Sequence, residues 1–283
     1  MSTVRHVPGP GQQIAYRRAG SGPPLVLLHP LALSGAVWGE FATRLSGTFD
    51  VIAADARGHG DSGWDGGPFT VDDLADDVAA LLDGLGLSSA RLVGMSMGGS
   101  TALTFAGRYP ERAAGLVLAD TTAWYGPEAA ATWEKRAADV VARPRPRQVP
   151  FQVDRWFTEG FRHRHPEEVN RIVRLFLRTS SLAHAQACRA LGAMDCRALL
   201  PAVTAPTLVV TGAEDYATPP PMGQAIADGV RAGEARVLDG LRHLSLVEQP
   251  SLADTAAAFL TAEAPAAGAP TAQAHAAPPQ ART

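Results

Sequence analysis

Lysine is nearly missing from this chain: Lys135 is the only one among 25 basic residues, and the rest are arginine. Beside so much alanine, the skew fits a GC-rich genome better than a physical requirement. Cysteine is almost as scarce. Two residues, Cys188 and Cys196, cannot make a disulfide framework, and no Cys/His run has zinc spacing. They read as free thiols of a reducing compartment, and no metal is expected. Long apolar runs are missing too. Nothing approaches the roughly 18 residues needed to span a bilayer, and Met1 to Gly11 lacks the basic start and apolar stretch of a secretory signal. The expectation is a cytoplasmic protein without a membrane partner. A net charge of −3 and a pI near 6.2 give nucleic acid no footing.

What is there is an ordinary globular balance, 46% hydrophobic and 19% charged. At 283 residues the chain has room for one large α/β domain or two small ones. Val4 to Val7 and Gln13 to Arg17 read as strands of a hairpin around Pro8-Gly9-Pro10-Gly11. Leu25 to Leu28 is a continuous apolar run, as expected of a strand buried on both faces. A helix from about Val37 to Leu45, a strand from Asp50 to Ala54 and a helix capped by Thr70 follow. The strand Ala90 to Val93 precedes a helical run, Ser100 to Arg108, and Gly115 to Ala119 is strand again. This alternation implies a mostly parallel sheet with helices on both faces. It breaks from 122 to 200, where tryptophans, an Arg143 to Arg147 linker and the amphipathic run Val169 to Leu177 suggest an inserted helical cap. Alternation resumes with Thr207 to Thr211, a helix from Pro220, a strand Ala235 to Leu238 and a final helix Leu252 to Leu260. The expected division is a core of 1–121 and 201–262, a cap of 122–200, and a disordered Ala/Pro-rich tail of 263–283.

The most informative stretch joins the fifth strand to its helix. In Gly94-Met95-Ser96-Met97-Gly98-Gly99, one serine stands between glycines two residues either side. A strand that turns into a helix within about one residue holds its serine on a strained, exposed corner at a helix N-terminus, where negative charge is favoured. The same stretch lacks the Gly-x-Gly-x-x-Gly spacing of a dinucleotide site, so no cofactor is expected. A serine hydroxyl needs a base to take its proton, and the base needs a third group to hold it. In a parallel sheet such groups gather at the carboxyl ends of strands.

Asp215, in Gly212-Ala213-Glu214-Asp215, follows the strand ending at Thr211 and is the favoured acid. Asp120, at the end of the preceding strand, is its rival and reads rather as a cap for the entry to the insertion. Glu214 is expected in solvent. His243, in the loop before the last helix, is the favoured base. His163, His165 and His184 lie in the cap and are expected to face solvent or pack. Backbone N–H groups of Met97 and of Leu31, since Pro30 has none, are the expected oxyanion donors. His29 reads as a scaffold residue of that loop.

With these residues assembled, the chain resembles the α/β-hydrolase superfamily and, more narrowly, the 3-oxoadipate enol-lactonases. The likeness runs from about Gln13 to Leu260. Leu28-His29-Pro30-Leu31, Asp55-Ala56-Arg57-Gly58-His59-Gly60-Asp61-Ser62 and the Ser96 stretch are shared by many hydrolases. Asp120-Thr121-Thr122-Ala123 and Ala217-Thr218-Pro219-Pro220 match as well, and the cap stretches Trp133-Glu134-Lys135-Arg136 and Arg155-Trp156-Phe157 together with His243-Leu244-Ser245-Leu246 are more specific. Leu241-Arg242 departs from the family, which would place small residues there. The resemblance implies an α/β-hydrolase fold and a Ser96–His243–Asp215 enzyme that opens a small enol-lactone. Because that substrate carries a free carboxylate, it also implies a cationic or N–H-rich cap, for which Trp124, Trp133 and Arg136 are the candidates. The partner is a small-molecule ester or lactone. Rival readings are a broad carboxylesterase or lactonase, a carbon–carbon bond hydrolase, and a catalytically quiet ligand-binding protein.

Overall fold

The computed structural model describes residues 3–262. The stretch read as a disordered tail, 263–283, lies outside them. Eight strands form one sheet: β1 (Val4–Gly9), β2 (Gln12–Ala19), β3 (Pro24–Leu28), β4 (Asp50–Ala54), β5 (Ala90–Met95), β6 (Ala113–Ala119), β7 (Thr207–Gly212) and β8 (Gly233–Leu238). Their spatial order is β1-β2-β4-β3-β5-β6-β7-β8. Only β1 and β2 run antiparallel to their neighbours, and all pairs from β4 onward are parallel. The apolar run Leu25-Val26-Leu27 is fully buried, as its composition requires of a strand covered on both faces.

Helices α1 (Gly39–Leu45), α2 (Val71–Gly84) and α3 (Met97–Arg108) cross between the parallel strands. Thr70 caps α2 in a reciprocal box with Asp73: each side chain accepts the other's backbone N–H. Between β6 and β7 the chain builds five helices, α4 (Ala129–Ala142), α5 (Arg145–Trp156), α6 (Glu159–Arg164), α7 (Pro166–Arg178) and α8 (Ser181–Ala193). The core closes with α9 (Pro220–Gly229), the single turn α10 (Ser245–Glu248) and α11 (Leu252–Thr261).

Besides shifts of a few residues at several element ends, three departures from the expected boundaries have a clear physical reason. The first hairpin turns within Pro10-Gly11 alone, because Gly9 pairs with Gln12 and Gly11 takes the left-handed conformation. The expected helix from Val37 starts as a 3₁₀ turn, Gly35–Trp38, and α1 follows only from Gly39. The Arg143 to Arg147 linker is mostly helix: Pro146 sits in the first turn of α5, where its missing N–H has no intrahelical partner to lose.

Parallel strands put every strand exit at one edge of the sheet. Leu31 follows β3, Ser96 follows β5, Asp120 follows β6, Asp215 follows β7 and His243 follows β8. The candidate residues converge there because of topology rather than proximity in sequence.

Candidate active site

Ser96 stands between β5 and α3 with φ 55° and ψ −119°. That positive φ is costly for a residue with a side chain and is sustained only by close packing around it. Glycine is required on both sides. A Cβ on Gly94 would overlap the carbonyl of Gly98, and one on Gly98 would overlap the carbonyl of Leu28 on the neighbouring strand. The elbow is tied to the next strand as well: Ser96 N–H donates to Ala119 O at 2.8 Å, and Thr121 Oγ1 donates to Ser96 O at 2.7 Å.

The structure brings Ser96, His243 and Asp215 into one line. Ser96 Oγ lies 2.9 Å from His243 Nε2, and His243 Nδ1 lies 2.8 Å from Asp215 Oδ2. All three are buried. The Asp215 carboxylate only accepts, so Nδ1 carries the imidazole proton and Nε2 turns its lone pair to the serine hydroxyl. Asp215 also accepts from Ala217 N at 2.8 Å, Thr218 N at 3.2 Å and Thr218 Oγ1 at 2.6 Å. Burial alone would raise its carboxyl, but the His243 ring and these donors outweigh burial and hold it below the usual range. Burial pushes His243 below the ordinary imidazole value. Asp215 opposes that shift, while the positive charges of Arg155 and Arg136 add to it. Hence the His243 ring stays neutral down to lower pH than a free histidine.

Met97 directly follows Ser96 and Leu31 follows β3, and among the described residues neither backbone N–H donates to a turn, loop or cap carbonyl. His29 Nδ1 donates to Pro30 O at 2.8 Å, and its Nε2 accepts from Ala56 N at 3.0 Å. The ring thus pins the Leu31 loop to the end of β4. From the cap, Thr179 Oγ1 donates to Ala32 O at 2.9 Å, and Arg171 donates to the carbonyls of Ala36 and Val37.

Asp120 does not cap the entry to the insertion. It is fully buried and spans the exits of β7 and β8 instead, accepting from Gly212 N and from Ser245. Glu214 faces Arg242 at 3.3 Å. Arg242, the departure before His243, donates to Asp154 O on α5 at 2.7 Å, which gives a long side chain a structural use there. His163 and His165 are exposed, whereas His184 is buried with Nδ1 accepting from Arg145.

Beside the Asp215 turn the cap forms an open cavity of about 520 Å³, whose lining does not include Ser96, His243 or Asp215 themselves. Tyr125, Trp133, Arg136, Gln152 and Arg155 line it from the cap, and Tyr216 and Ala217, directly after Asp215, line it from the core. Lys135 and Arg143 at its rim are paired with Asp139. Arg136 stacks on Trp133 at 4.8 Å. Among the described residues, neither Arg136 nor Arg155 pairs with a carboxylate. Burial, and then the charge of Arg136, push the Arg155 guanidinium down to about 10. Of the three cap candidates, Trp133 and Arg136 line this cavity. Trp124 does not: it lies at the cap's root, bridged to Asp195 and covered by the Arg197 guanidinium at 3.7 Å. Tyr125 and Gln152 join the site without belonging to any motif that marks them in the sequence, and Arg155 joins it from the Arg155-Trp156-Phe157 stretch of the family resemblance, where it is not among the binding candidates. A further signal is the helical spacing of Gln148, Gln152 and Arg155 on one side of α5.

Among the described residues, no group of three or more His, Cys, Asp or Glu side chains gathers as a metal site would require. Nor, among them, is any helix long and apolar enough to cross a membrane.

Comparison with known proteins agrees with this geometry. Residues 23–250 match the family model for the alpha/beta hydrolase fold. 3-oxoadipate enol-lactonase 2 of Acinetobacter baylyi is 34% identical over 84% of this chain and 90% of its own length. The crystal structure of the enol-lactonase from Burkholderia xenovorans LB400 superposes with a TM-score of 0.85 at 30% identity, over 91% of this chain and 100% of that one. A thermophilic esterase from Thermogutta terrifontis, solved with malate bound, gives a TM-score of 0.84 at 31% identity over 92% and 98% of the two chains. The serine corner, the strand-end geometry and these matches make the chain a member of the α/β-hydrolase family, a hydrolase similar to the 3-oxoadipate enol-lactonases.

Proposed function

We propose that the protein opens a small, acid-bearing enol-lactone by acyl-enzyme chemistry. The observation that carries this is the Ser96–His243–Asp215 line, with the residues directly after Asp215 lining a cap cavity in which, among the described residues, the Arg136, Arg147 and Arg155 guanidinium groups have no acid partner. His243 Nε2 takes the Ser96 proton as Oγ attacks the lactone carbonyl. The N–H groups of Leu31 and Met97 receive the oxyanion. Collapse breaks the ring C–O bond, and the imidazolium returns its proton to the departing enol oxygen, or to its carbon when the enol becomes a ketone. Water, deprotonated by His243, then attacks the acyl carbonyl and frees Ser96 and the acid. Arg136 and Arg155 hold the substrate's free carboxylate, and Trp133 covers the ring. The enol leaving group and the carboxylate explain why this lactone suits the site.

A second reading is a broader esterase for larger acidic esters. It is favoured by the cavity, whose size lies in the range that accepts drug-sized ligands. Steady-state rates separate the two. The lactonase reading requires kcat/KM on 3-oxoadipate enol-lactone to exceed that on p-nitrophenyl acetate by orders of magnitude. Equal rates on the two would discard it.

A further inference from the structure

We propose that Asp120 is a positioning residue for this reaction: a second buried carboxylate that holds the turns carrying Asp215 and His243 in register with the Ser96 elbow. The inference rests on reading those three residues as the triad. Three donors converge on Asp120. Gly212 N–H, three residues before Asp215, meets Oδ1 at 3.0 Å. Ser245 N–H and Oγ–H, two residues after His243, meet Oδ2 at 2.9 and 2.7 Å. The neighbouring residues grip the third turn: Ala119 O accepts from Ser96 N–H, and Thr121 Oγ1 donates to Ser96 O. One stretch of three residues therefore touches every triad-bearing loop, although 92 and 125 residues separate Asp120 from Gly212 and Ser245.

Only an acceptor at both ends satisfies this arrangement. An asparagine amide would turn an N–H toward Gly212 or toward Ser245, leaving two donors facing each other. The arrangement is also costly. Asp120 is fully buried at φ 49°, in the left-handed region. Burial, and then the charge of Asp215, push its carboxyl well above the ordinary value. A costly carboxylate kept behind a triad whose spacings are 2.9 and 2.8 Å fits a role in holding those spacings.

The test compares Asp120→Asn, Ser245→Ala and their combination with the unmodified enzyme, on p-nitrophenyl acetate. Active serine is counted by titration with a fluorophosphonate, so each kcat refers to folded sites. Ser245→Ala keeps the backbone N–H and tests the contact even where Asp120→Asn does not fold. Expected are a fall in kcat of about 3- to 10-fold for Ser245→Ala and about 10- to 100-fold for Asp120→Asn, with KM within about twofold. The double variant should be no slower than Asp120→Asn alone, because both changes act through one contact. Normal kcat per titrated serine in Ser245→Ala, with only a lower melting temperature, would overturn the proposal in favour of a purely structural bond. Strictly additive losses in the double variant would also overturn it. No labelling of the unmodified enzyme would sink the triad reading itself, and this proposal with it.

Discussion

Replacing Asp215 by asparagine probes the site with almost no change of shape. The carboxylate lies 2.8 Å from His243 Nδ1. When His243 takes the serine proton, the pair becomes a full charge pair, and at an effective dielectric constant near 20 its attraction is about 6 kcal/mol. At about 1.4 kcal/mol per tenfold, losing that attraction alone slows the chemical step by roughly four orders of magnitude. The amide adds a second fault. Its oxygen is drawn to the Ala217 and Thr218 N–H groups that Oδ1 now satisfies. The NH₂ then faces His243 Nδ1, forcing the imidazole proton onto Nε2, where it points at Ser96 Oγ and cannot accept. The expectation for Asp215→Asn is therefore a kcat about 10⁴-fold lower on an aryl ester, with KM little changed and the melting temperature within a few degrees. Burst kinetics with p-nitrophenyl acetate, normalised to protein folded by near-ultraviolet circular dichroism, reads both. A kcat within tenfold of the parent would refute the reasoning and move the acid role to another buried carboxylate, Asp120 first.

Other expectations follow from the same geometry. Gly98→Ala places a Cβ inside the carbonyl of Leu28 and 2.8 Å from that of His29; backbone must move, so thermal unfolding should show a loss of about 3 kcal/mol or more. The acid limb of kcat/KM should have its midpoint below the ordinary imidazole value of about 6.5, because His243 is held low. Arg155→Met removes one of the positive charges that lower His243, so the limb should move to higher pH; a shift downward contradicts the assignment. The same variant should raise KM for an acid-bearing ester by roughly 10- to 100-fold, the worth of a charge-assisted hydrogen bond, and leave KM for a neutral ester alone. Trp124→Phe should leave both KM values unchanged, since that ring lies outside the cavity.

The core is legible in the sequence because its signals are local. Buried parallel strands are continuous apolar runs, and a glycine-flanked serine between strand and helix suits a nucleophile corner better than an ordinary turn. The strand order then puts Asp215 and His243 at the same sheet edge as Ser96. The cap is less legible. Its helices are amphipathic, and a polar residue turned into the cavity has the same spacing as one turned to bulk water. Arg155 and Gln152 look like surface residues of α5 for that reason. Trp124 misleads in the opposite sense, because a large aromatic beside the insertion reads as lining when it is a root residue covered by Arg197. Asp120 shows the limit most plainly. Its position after β6 is visible, but its partners are set by how β7 and the His243 turn dock, and nothing near it in sequence announces Gly212 or Ser245.

The central claim is that Ser96 attacks an enol-lactone carbonyl. The direct measurement is a rapid acid quench of the enzyme turning over 3-oxoadipate enol-lactone, followed by peptide mass spectrometry. The account predicts a mass increase equal to one lactone on the peptide containing Ser96, absent from Ser96→Ala, which should also have lost turnover. Ring opening that persists at the parental rate in Ser96→Ala, with no adduct on that peptide in the parent, would contradict it.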